Sequence, residues 1–253
     1  MAAHDAAVSM LRAARLERTA IPQLSDTFPH LDLATAYEIQ AAQRADFGPV
    51  VGWKLGVTSR AKQVQVGVDS PIRGFLATEH ALDHGEPLVC AEHVNPRCEP
   101  EVAFVMGADL SGAHATTTEV LAATAGVSAA IEVIDSRYTD YRFTMPDVVA
   151  DNSSAGRYVL GSPVPATGID LRLVGVVMQK NGEVVSTASG AASLGHPAAA
   201  VAWLVRSLAE HGEGLRAGDV VLSGGLTAAV PVSPGDVVVV TVDRLGSVEL
   251  ACR

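Results

Sequence analysis

The sequence predicts an α+β fold in which a helical N-terminal portion precedes a mixed or mostly antiparallel β-sheet curled into a roll or barrel. The first 47 residues repeat apolar side chains at spacings of three and four, as amphipathic helices do. After Gly48 the chain changes to short apolar runs punctuated by glycine and proline, which is typical of strands. Strands and helices do not alternate regularly, so a doubly wound parallel sheet is disfavoured. We predict a helical portion at residues 1–50 and a β-rich body at residues 51–253 that form one functional unit.

The helical portion contains two amphipathic runs, around residues 7–16 and 33–39, which Pro22 and Pro29 separate. Within the body, helices are predicted at about 59–66, 116–125 and 197–211. The last begins at Pro197 and is followed by Gly212, as expected for the first and the terminating positions of a helix.

Short apolar runs of the body predict its strands. The Asn-Gly pair in KNGE, residues 180–183, predicts a tight hairpin between two of these runs. In chain order the runs are VVGWKLGV, EVAFVMG, AAIEVI, RYVLG, LVGVVMQ, EVVSTAS, DVVLSGG and DVVVVTV.

Composition limits the possible partners. The 253 residues are 48% hydrophobic and carry a formal net charge of −10, which argues against binding to nucleic acid or anionic lipid and favours a small solute. No apolar run reaches the roughly 18–20 residues of a membrane helix, and the N-terminus lacks the pattern of a signal peptide. Three cysteines without a CxxC spacing suit reduced thiols. We therefore expect a cytoplasmic protein that does not bind membranes.

Three glutamates stand where burial is expected. In RCEPEVAF, residues 97–104, Glu99 and Glu101 occupy alternate positions of a predicted strand and share one face. Glu132 lies inside the apolar run GVSAAIEVID. An ionised carboxylate is costly to bury without a partner, and three oxygen donors suit Mg²⁺ or Mn²⁺, whereas zinc prefers imidazole or thiolate. The alternative is that Glu99 and Glu101 border a solvated strand and that Glu132 pairs with an arginine such as Arg137.

Two further features point to a site without defining one. Lys54, between Trp53 and Leu55, is either a buried acid, base or oxyanion partner, or a strand lysine that extends to solvent. The glycines of SGGLT, residues 223–227, either present N–H groups to an anion or form an ordinary turn. No GxGxxG, GxxxxGK[ST] or GxSxG motif is present, so nucleotide binding has no support.

Several longer segments resemble the hydratase/decarboxylase branch of the fumarylacetoacetate hydrolase superfamily, and more narrowly its decarboxylases of meta-cleavage pathways for aromatic compounds. The resemblance covers about residues 30–250 in the same order. It implies a fumarylacetoacetase C-terminal-like mixed β-roll or barrel. The segments are GWKLGVTSRAKQVQVGVDSPIRGFL, RCEPEVAFVM, IEVIDSRYTDYRF, VVADNSSAGRYVLG, LVGVVMQKNGEVV, LGHPAAAVAWL and SGGLTAAVPVSPGD.

The resemblance also implies roles for individual residues. Glu99, Glu101 and Glu132 would hold Mg²⁺ or Mn²⁺, and Lys54 would be the catalytic partner of a chelated 2-oxo acid. Further candidate substrate-binding residues are Arg73, Asn152, Ser154 and Thr227. For Asn152 and Ser154 the alternative is a turn stabilised by their own side-chain hydrogen bonds.

One position favours decarboxylation over hydration. The related hydratases typically read QPDYGHL where this chain has SPIRGFL, so the position of their aspartate is Ile72, which cannot act as a general acid or base. The decarboxylases resemble SPIYGFL, with an apolar residue there. Arg73 replaces their aromatic residue and either clamps a second carboxylate or faces water. A hydratase remains the first rival function, with another acid such as Asp69.

The resemblance also implies partners. The substrate would be a small 2-oxo acid, and the chain would form a homo-oligomer, with a possible complex with a homologous hydratase. Three more roles stay open: acylpyruvate hydrolysis, for which no His-containing dyad is evident, a non-catalytic subunit that supports a hydratase, and recruitment to another pathway with an unrelated 2-oxo acid.

Overall fold

A computed structural model describes residues 2–59, 63 and 70–253. Most of the helix predicted at 59–66 lies outside these residues, as does Asp69. The α+β fold is confirmed, since helices cover the N-terminal portion and strands dominate the body. The helices are α1 (Ala2–Glu17), α2 (Leu24–Thr27), α3 (Leu33–Ala42), α4 (Thr117–Ala123), α5 (Met145–Ala150) and α6 (Pro197–Ala209). No helix in the described part of the chain is long and apolar enough to cross a membrane.

The strands form two sheets. The larger has the order β2-β1-β9-β4-β5-β6-β3, with β10 paired to β4, and the smaller has the order β12-β11-β7-β8. The larger sheet is mixed, because β1 runs parallel to β9 and β3 parallel to β6 while its other pairs are antiparallel. The strands are β1 (Val50–Gly56), β2 (Ile72–Ala77), β3 (Ala81–Leu82), β4 (Pro96–Met106), β5 (Thr124–Asp135), β6 (Ala155–Leu160), β7 (Gly175–Lys180), β8 (Glu183–Ser189), β9 (Val220–Leu222), β10 (Val230–Pro231), β11 (Val237–Val242) and β12 (Gly246–Ala251).

The main hydrophobic core lies between the two sheets. Phe104 and Ile131 of the larger sheet pack in it with Val240 and Leu250 of the smaller sheet and with Val201 of α6. Because side chains alternate across a strand, the neighbours of these residues on β4 and β5 point to the other face of the larger sheet. That second face carries Glu99, Glu101 and Glu132.

The N-terminal helices pack on the body around a second apolar cluster. Leu11 of α1 and Ile39 of α3 are buried there with Ile72 of β2 and Tyr138. On α3, the Gln40 amide donates to the carbonyls of Arg73 and Val149 at 2.9 and 2.8 Å, which ties this helix to β2 and α5. The division at residue 50 coincides with the start of β1, and the single functional unit stays a prediction.

Most predicted elements are present, with differences in length. The 180–183 hairpin is confirmed, with positive φ at Asn181 and Gly182, and α6 begins at Pro197 as predicted. The DVVLSGG run is a strand only over β9, because Ser223 and the glycines after it leave the sheet. β2 and β12 are not among the predicted runs. In β12 the apolar residues Val248 and Leu250 simply alternate with exposed ones, which makes its signal weak.

Candidate metal centre

The three predicted glutamates converge on one buried spot. Glu99 of β4 lies directly opposite Glu132 of β5, and Glu101 stands two residues along the same face. Their side chains are 6, 0 and 1% exposed for Glu99, Glu101 and Glu132. One carboxylate oxygen of each lies within 4.8 Å of the others. The alternative of a solvated strand edge is therefore wrong.

Glu101 and Glu132 lack some of the hydrogen bonds that would satisfy their carboxylates. Oε2 of Glu101 accepts from the Gly224 N–H at 2.7 Å. Its Oε1, and both carboxylate oxygens of Glu132, are buried without a hydrogen-bond partner among the described residues. Unsatisfied buried carboxylate oxygens are rare because each forgoes its hydration. Three convergent carboxylates, two of which have this deficit, match the ligand set of a hard divalent cation.

Lys54 supplies positive charge to the cluster. Its side chain is 3% exposed, and Nζ lies 3.2 Å from Oε1 of Glu132 and donates to the Ser153 carbonyl at 2.9 Å. The alternative of a lysine extending to solvent is therefore wrong. Burial, and then the charge of Glu132, raise the pKa of Glu101 well above its usual value. Burial also raises the pKa of Glu132, although Lys54 opposes this. The site therefore disfavours the carboxylate charges that it holds, and a bound cation would compensate them.

Two glycines let the chain close over the carboxylates. A Cβ on Gly225 would lie 2.0 Å from Oε2 of Glu99. Gly224 has φ +102°, and a Cβ there would lie 2.1 Å from Oγ1 of Thr58. Only glycine fits such approaches. One interpretation of SGGLT was that its glycines present N–H groups to an anion. The Gly224 N–H does so, and the anion is the carboxylate of Glu101 in the same chain.

A left-handed turn places the Ser153 carbonyl beside Lys54. Asn152, Ser153 and Ser154 have φ of +48, +52 and +57° in succession. Left-handed backbone costs a residue other than glycine about 1–3 kcal/mol, so it persists only where its surroundings enforce it. Such strain is common at functional sites.

Strand β2 enforces this turn. The Asn152 amide accepts from the Phe75 N–H at 2.9 Å and donates to the Phe75 carbonyl at 3.0 Å. The Ser153 hydroxyl donates to the Arg73 carbonyl at 2.8 Å. Gly74 makes room, because a Cβ there would lie 2.5 Å from the Asn152 carbonyl oxygen.

The two predicted substrate-binding residues of the turn, Asn152 and Ser154, differ in their hydrogen bonds. The Asn152 amide is committed to β2, which favours the structural alternative for that residue. Oγ of Ser154 is buried without a hydrogen-bond partner among the described residues and is available to a ligand. The substrate-binding role of both residues stays a prediction.

An apolar floor surrounds the carboxylates on the same face of the sheet. Its members are Leu76, Ala103, Ala130, Tyr158 and Leu222. Tyr158 lies directly opposite Glu132 in the register of β6 and β5. Burial raises the pKa of Tyr158, which keeps its hydroxyl protonated at neutral pH. Tyr158 was not among the predicted site residues, because its position opposite Glu132 is a matter of strand register.

Arg73 is not brought to the cluster. Lys54 lies opposite Gly74, whereas Arg73 lies opposite Leu55, so Arg73 and Lys54 point to opposite faces of the sheet. The Arg73 guanidinium is buried over the Tyr37 ring, 4.5 Å from its centroid, and donates to the Ser207 hydroxyl at 3.2 Å. The expectation that it faces water is wrong. Its position also removes the support for a carboxylate clamp.

The remaining predicted residues lie near the site or in a separate ion pair. Thr227 is half-buried two residues beyond Gly225, and its hydroxyl donates to the Ala228 carbonyl at 3.1 Å, so its substrate role stays a prediction. Arg137 pairs with Asp151 and not with Glu132, so that alternative is also wrong.

Ile72 borders the site. Both Cγ1 of Ile72, at 2.9 Å, and Nζ of Lys54, at 3.9 Å, lie close to the position that a Cβ of Gly56 would take. An apolar side chain therefore lies next to the ammonium group.

Comparison with known proteins gives a consistent result. The fumarylacetoacetate (FAA) hydrolase C-terminal family model matches residues 49–251. A 4-oxalocrotonate decarboxylase from a Pseudomonas species is 43% identical over 240 residues, which are 93% of this chain and 91% of the relative. A 2-keto-4-pentenoate hydratase from Paraburkholderia xenovorans is 42% identical over 249 residues, which are 96% of this chain and 92% of the relative.

A solved structure extends the likeness to the whole fold. The 4-oxalocrotonate decarboxylase of Pseudomonas putida, complexed with magnesium and adipate, superposes with a TM-score of 0.93 at 41% identity. The match covers 98% of this chain and 96% of that one.

Proposed function

The chain belongs to the fumarylacetoacetate hydrolase family, and we propose that it decarboxylates 2-oxo-3-hexenedioate (4-oxalocrotonate) or a close 2-oxo acid, giving 2-hydroxypenta-2,4-dienoate and CO₂. The observation that supports this most is the cluster of three buried glutamates beside a buried lysine, in which Glu101 and Glu132 keep carboxylate oxygens without hydrogen-bond partners among the described residues. Both Pseudomonas relatives carry the same activity in their names.

Glu99, Glu101 and Glu132 would hold Mg²⁺ or Mn²⁺. The magnesium in the Pseudomonas putida structure and the all-oxygen donor set both support a hard divalent cation. Such a cation, when bound, supplies Lewis-acid stabilisation of negative charge at a keto oxygen.

The reaction itself needs one bond to break and one proton to be delivered. The bond between C5 and C6 of the substrate breaks, and C6 leaves as CO₂. The electron pair moves through the C3–C4 double bond to the keto oxygen at C2, which then takes up a proton. Lys54 would interact with the 2-oxo acid end, and the contacts of its ammonium with Glu132 and the Ser153 carbonyl, beside the carboxylates, support this role. The free hydroxyl of Ser154 is a donor for a substrate carboxylate or oxygen.

Apolar side chains support decarboxylation over hydration. Ile72 borders the space near Lys54 and offers no group that could move a proton to or from water. The floor formed by Leu76, Ala130 and Leu222 suits a flat conjugated chain. Adipate, found with magnesium in the Pseudomonas putida relative, is a six-carbon dicarboxylate and matches the proposed substrate in length.

Two incubations test the proposal. Purified protein with Mg²⁺ or Mn²⁺ is mixed with 2-oxo-3-hexenedioate, and release of CO₂ is measured together with formation of the dienoate. A parallel sample receives 2-hydroxypenta-2,4-dienoate, and its hydration is followed. We expect CO₂ release that stops when a chelator is added, and no hydration. Hydration without CO₂ release would contradict the proposal.

Hydration of 2-hydroxypenta-2,4-dienoate is the second candidate, favoured by the hydratase relatives at 42% identity. Hydration needs an acid at another position, because Ile72 cannot supply a proton. Asp69 is the residue to test, by comparing the hydration activity of Asp69→Asn with that of the unchanged protein. Association with a homologous hydratase stays a prediction, to be tested by co-purification of the two chains.

A further inference from the structure

The turn between β7 and β8 contains a pair of residues that can react with each other. Asn181 and Gly182 form this turn, with φ of +55 and +84°, and both are exposed. A Cβ on Gly182 would meet no atom of the described residues within 4 Å, so the backbone beside its nitrogen is open. An asparagine that precedes glycine is the one whose side-chain amide the next backbone nitrogen attacks most readily. The turn therefore carries both reactants of a deamidation.

Deamidation at this pair needs water and no other reactant. The Gly182 nitrogen, after loss of its proton, forms a bond to Cγ of Asn181. The bond between Cγ and Nδ2 then breaks, and Nδ2 leaves as ammonia after it takes up a proton. Water opens the resulting five-membered succinimide at either carbonyl, which gives aspartate or isoaspartate. The net change in composition replaces NH₂ by OH, and no group is oxidised or reduced.

The two other asparagines of the chain lack this combination. Asn95 is followed by Pro96, which has no backbone N–H to act as the nucleophile. Asn152 is followed by serine and is only 3% exposed. Its side-chain amide is held by both backbone groups of Phe75. Asn181 is therefore the asparagine at which this reaction is expected first.

The folded protein clamps the Asn181 side chain to the start of β11. Nδ2 of Asn181 donates to Oδ1 of Asp236 at 2.7 Å, and Oδ1 of Asn181 accepts from the Val237 N–H at 2.8 Å. The backbone N–H of Asn181 also donates to the Val237 carbonyl, at 2.8 Å. Ring closure moves Cγ toward the Gly182 nitrogen, so both polar atoms of the amide must leave their partners before the succinimide forms.

Asp236 is itself held in place by other donors. Its Oδ2 accepts from Nζ of Lys180 and from the Ser233 N–H, each at 2.8 Å. Nζ of Lys180 also donates to the Pro231 carbonyl at 2.9 Å. The hydrogen bond from Lys180, and then that from Asn181, hold the pKa of Asp236 below its usual value. Asp236 therefore stays an ionised acceptor at neutral and alkaline pH, where a backbone nitrogen loses its proton more readily.

The structure assigns Asn181 as the site of spontaneous deamidation in this chain, with Asp236 and Val237 as the residues that control its rate. The reaction is slow while the clamp holds the amide, and it becomes fast when the start of β11 releases it. The assignment rests on the turn and on β11 alone, so it is independent of the metal centre and of the proposed reaction.

The product fits the turn less well than asparagine does. An aspartate at position 181 has no N–H for Oδ1 of Asp236 and places a second carboxylate beside it, and like charges at this distance repel. An isoaspartate instead adds one carbon to the main chain of a two-residue turn, which joins the paired residues Lys180 and Glu183. Either product loosens the link between the β7–β8 hairpin and β11. The modification is therefore an ageing reaction that weakens the smaller sheet.

Peptide mass spectrometry of protein incubated at about pH 8 and about 37 °C measures the conversion of each asparagine. We expect Asn181 to convert before the other two, at a rate at least tenfold below that of the free peptide QKNGEVV, residues 179–185. Asp236→Ala should raise the rate at Asn181 at least tenfold. Asp243→Ala is the matched control, because Asp243 is exposed just beyond the other end of β11, and it should leave the rate unchanged.

Conversion at Asn152 distinguishes release of the clamp from unfolding of the whole chain. Asn152 is buried, so unfolding would expose it and raise its rate together with that of Asn181. Asp236→Ala should raise the rate at Asn181 alone. An unchanged rate at Asn181 in Asp236→Ala, or an equal rise at Asn152, would overturn the proposal. So would a rate at Asn181 in the unchanged protein that equals that of the free peptide.

The variant Asn181→Asp reproduces one product and tests the consequence of the reaction. Hydrogen exchange of peptides that cover the β7–β8 turn and the start of β11 should become faster, whereas exchange of α1 should not change. Unchanged exchange in the smaller sheet would overturn the inference that deamidation weakens it.

Discussion

Two buried ionic clusters adjoin the same left-handed turn, and they differ in how completely hydrogen bonds satisfy their charged groups. In the first, Arg137 donates to both oxygens of the Asp151 carboxylate, through its backbone N–H and Nε, and to the carbonyls of Ala155 and Asp151. In the second, Glu101 and Glu132 keep three carboxylate oxygens without hydrogen-bond partners among the described residues, and only Oε1 of Glu132 has the charge of Lys54 nearby, at 3.2 Å. Both clusters are buried, so burial alone does not distinguish them.

The difference distinguishes an ion pair that the protein itself satisfies from carboxylates that are open to a proposed ligand. Burial of an ion pair is tolerable when hydrogen bonds replace its hydration, and the Arg137 pair meets that condition. The glutamate cluster does not meet it from its described neighbours alone. We therefore read the Arg137 pair as support for the turn, and the glutamates as ligands.

The largest expected effect is at the glutamates. Glu132→Gln keeps the size of the side chain and removes one ligand charge, so Mn²⁺ affinity measured by calorimetry should fall at least 100-fold and CO₂ release should be lost. The stability of the metal-free protein should change little, because the relief of repulsion between the carboxylates is offset by the loss of the ion pair between Glu132 and Lys54. Glu38→Gln, at an exposed position of α3, is the control. Unchanged Mn²⁺ affinity in Glu132→Gln would refute the assignment of ligands.

Arg137 should show the opposite pattern. Arg137→Met leaves Asp151 buried and unpaired, which should lower the free energy of unfolding by about 3–5 kcal/mol in urea titrations. Mn²⁺ affinity should change less than threefold in the fraction that remains folded. If the double variant Arg137→Met, Asp151→Leu recovers most of the stability, the loss came from the unpaired charge. If Arg137→Met is as stable as the unchanged protein but binds Mn²⁺ more weakly, Arg137 serves the metal site and not the stability of the turn.

Asn152 belongs to the turn that adjoins both clusters, and its replacement should lower both stability and kcat moderately. Asn152→Ala leaves the N–H and carbonyl of Phe75 without partners, at about 1–3 kcal/mol for each group, and releases the turn that orients Lys54. We expect kcat to fall about 10- to 100-fold while Mn²⁺ affinity is unchanged. Asn152→Gly removes the same hydrogen bonds but relieves the positive φ, so it should be the more stable variant. A rise in KM alone would instead indicate direct contact with substrate.

These clusters also show which features of the site could be predicted from the sequence and which depend on strand register. The spacing of Glu99 and Glu101 on one strand was enough to place both on one face. Their meeting with Glu132 depends on the register of β4 and β5, which the spacing does not contain and the family resemblance supplied. Whether Arg73 reaches the site was not decided, because a shift of one residue in the pairing with β1 moves a side chain to the other face.

The left-handed turn could not be predicted from the sequence, for a different reason. Asn and Ser are common in turns, and the alternative of a turn at residues 152–154 was open, yet three successive positive φ values arise from tertiary bonds to β2. Local preference could not predict them. The fold class and most strands followed from the pattern of apolar residues, which records burial directly.

A third buried ionisable group, His80, extends the comparison, because it avoids charge altogether. Its Nδ1 accepts from the Ala77 N–H at 2.8 Å, and its ring packs 4.9 Å from that of Phe47. Burial, followed by the charges of Arg157, Arg137 and Arg15, lowers the pKa of His80 to about 3, from a usual value of 6.5. The folded protein therefore keeps this imidazole neutral at pH values where the unfolded chain protonates it.

The smallest predicted effect follows from that difference. Below pH 6.5 the unfolded state binds a proton that the folded state refuses, so His80 reduces stability as the pH falls toward 3. The slope approaches about 1.4 kcal/mol per pH unit, which gives a loss of about 2 kcal/mol between pH 8 and pH 5. Urea unfolding at a series of pH values measures it. His80→Asn retains an acceptor for the Ala77 N–H and should remove this part of the pH dependence, whereas His114→Asn, at an exposed position, should remove none. If the pH dependence of the free energy of unfolding is the same in His80→Asn, the folded protein accommodates the protonated His80 ring. His80 would then resemble Arg137, which is buried with its charge.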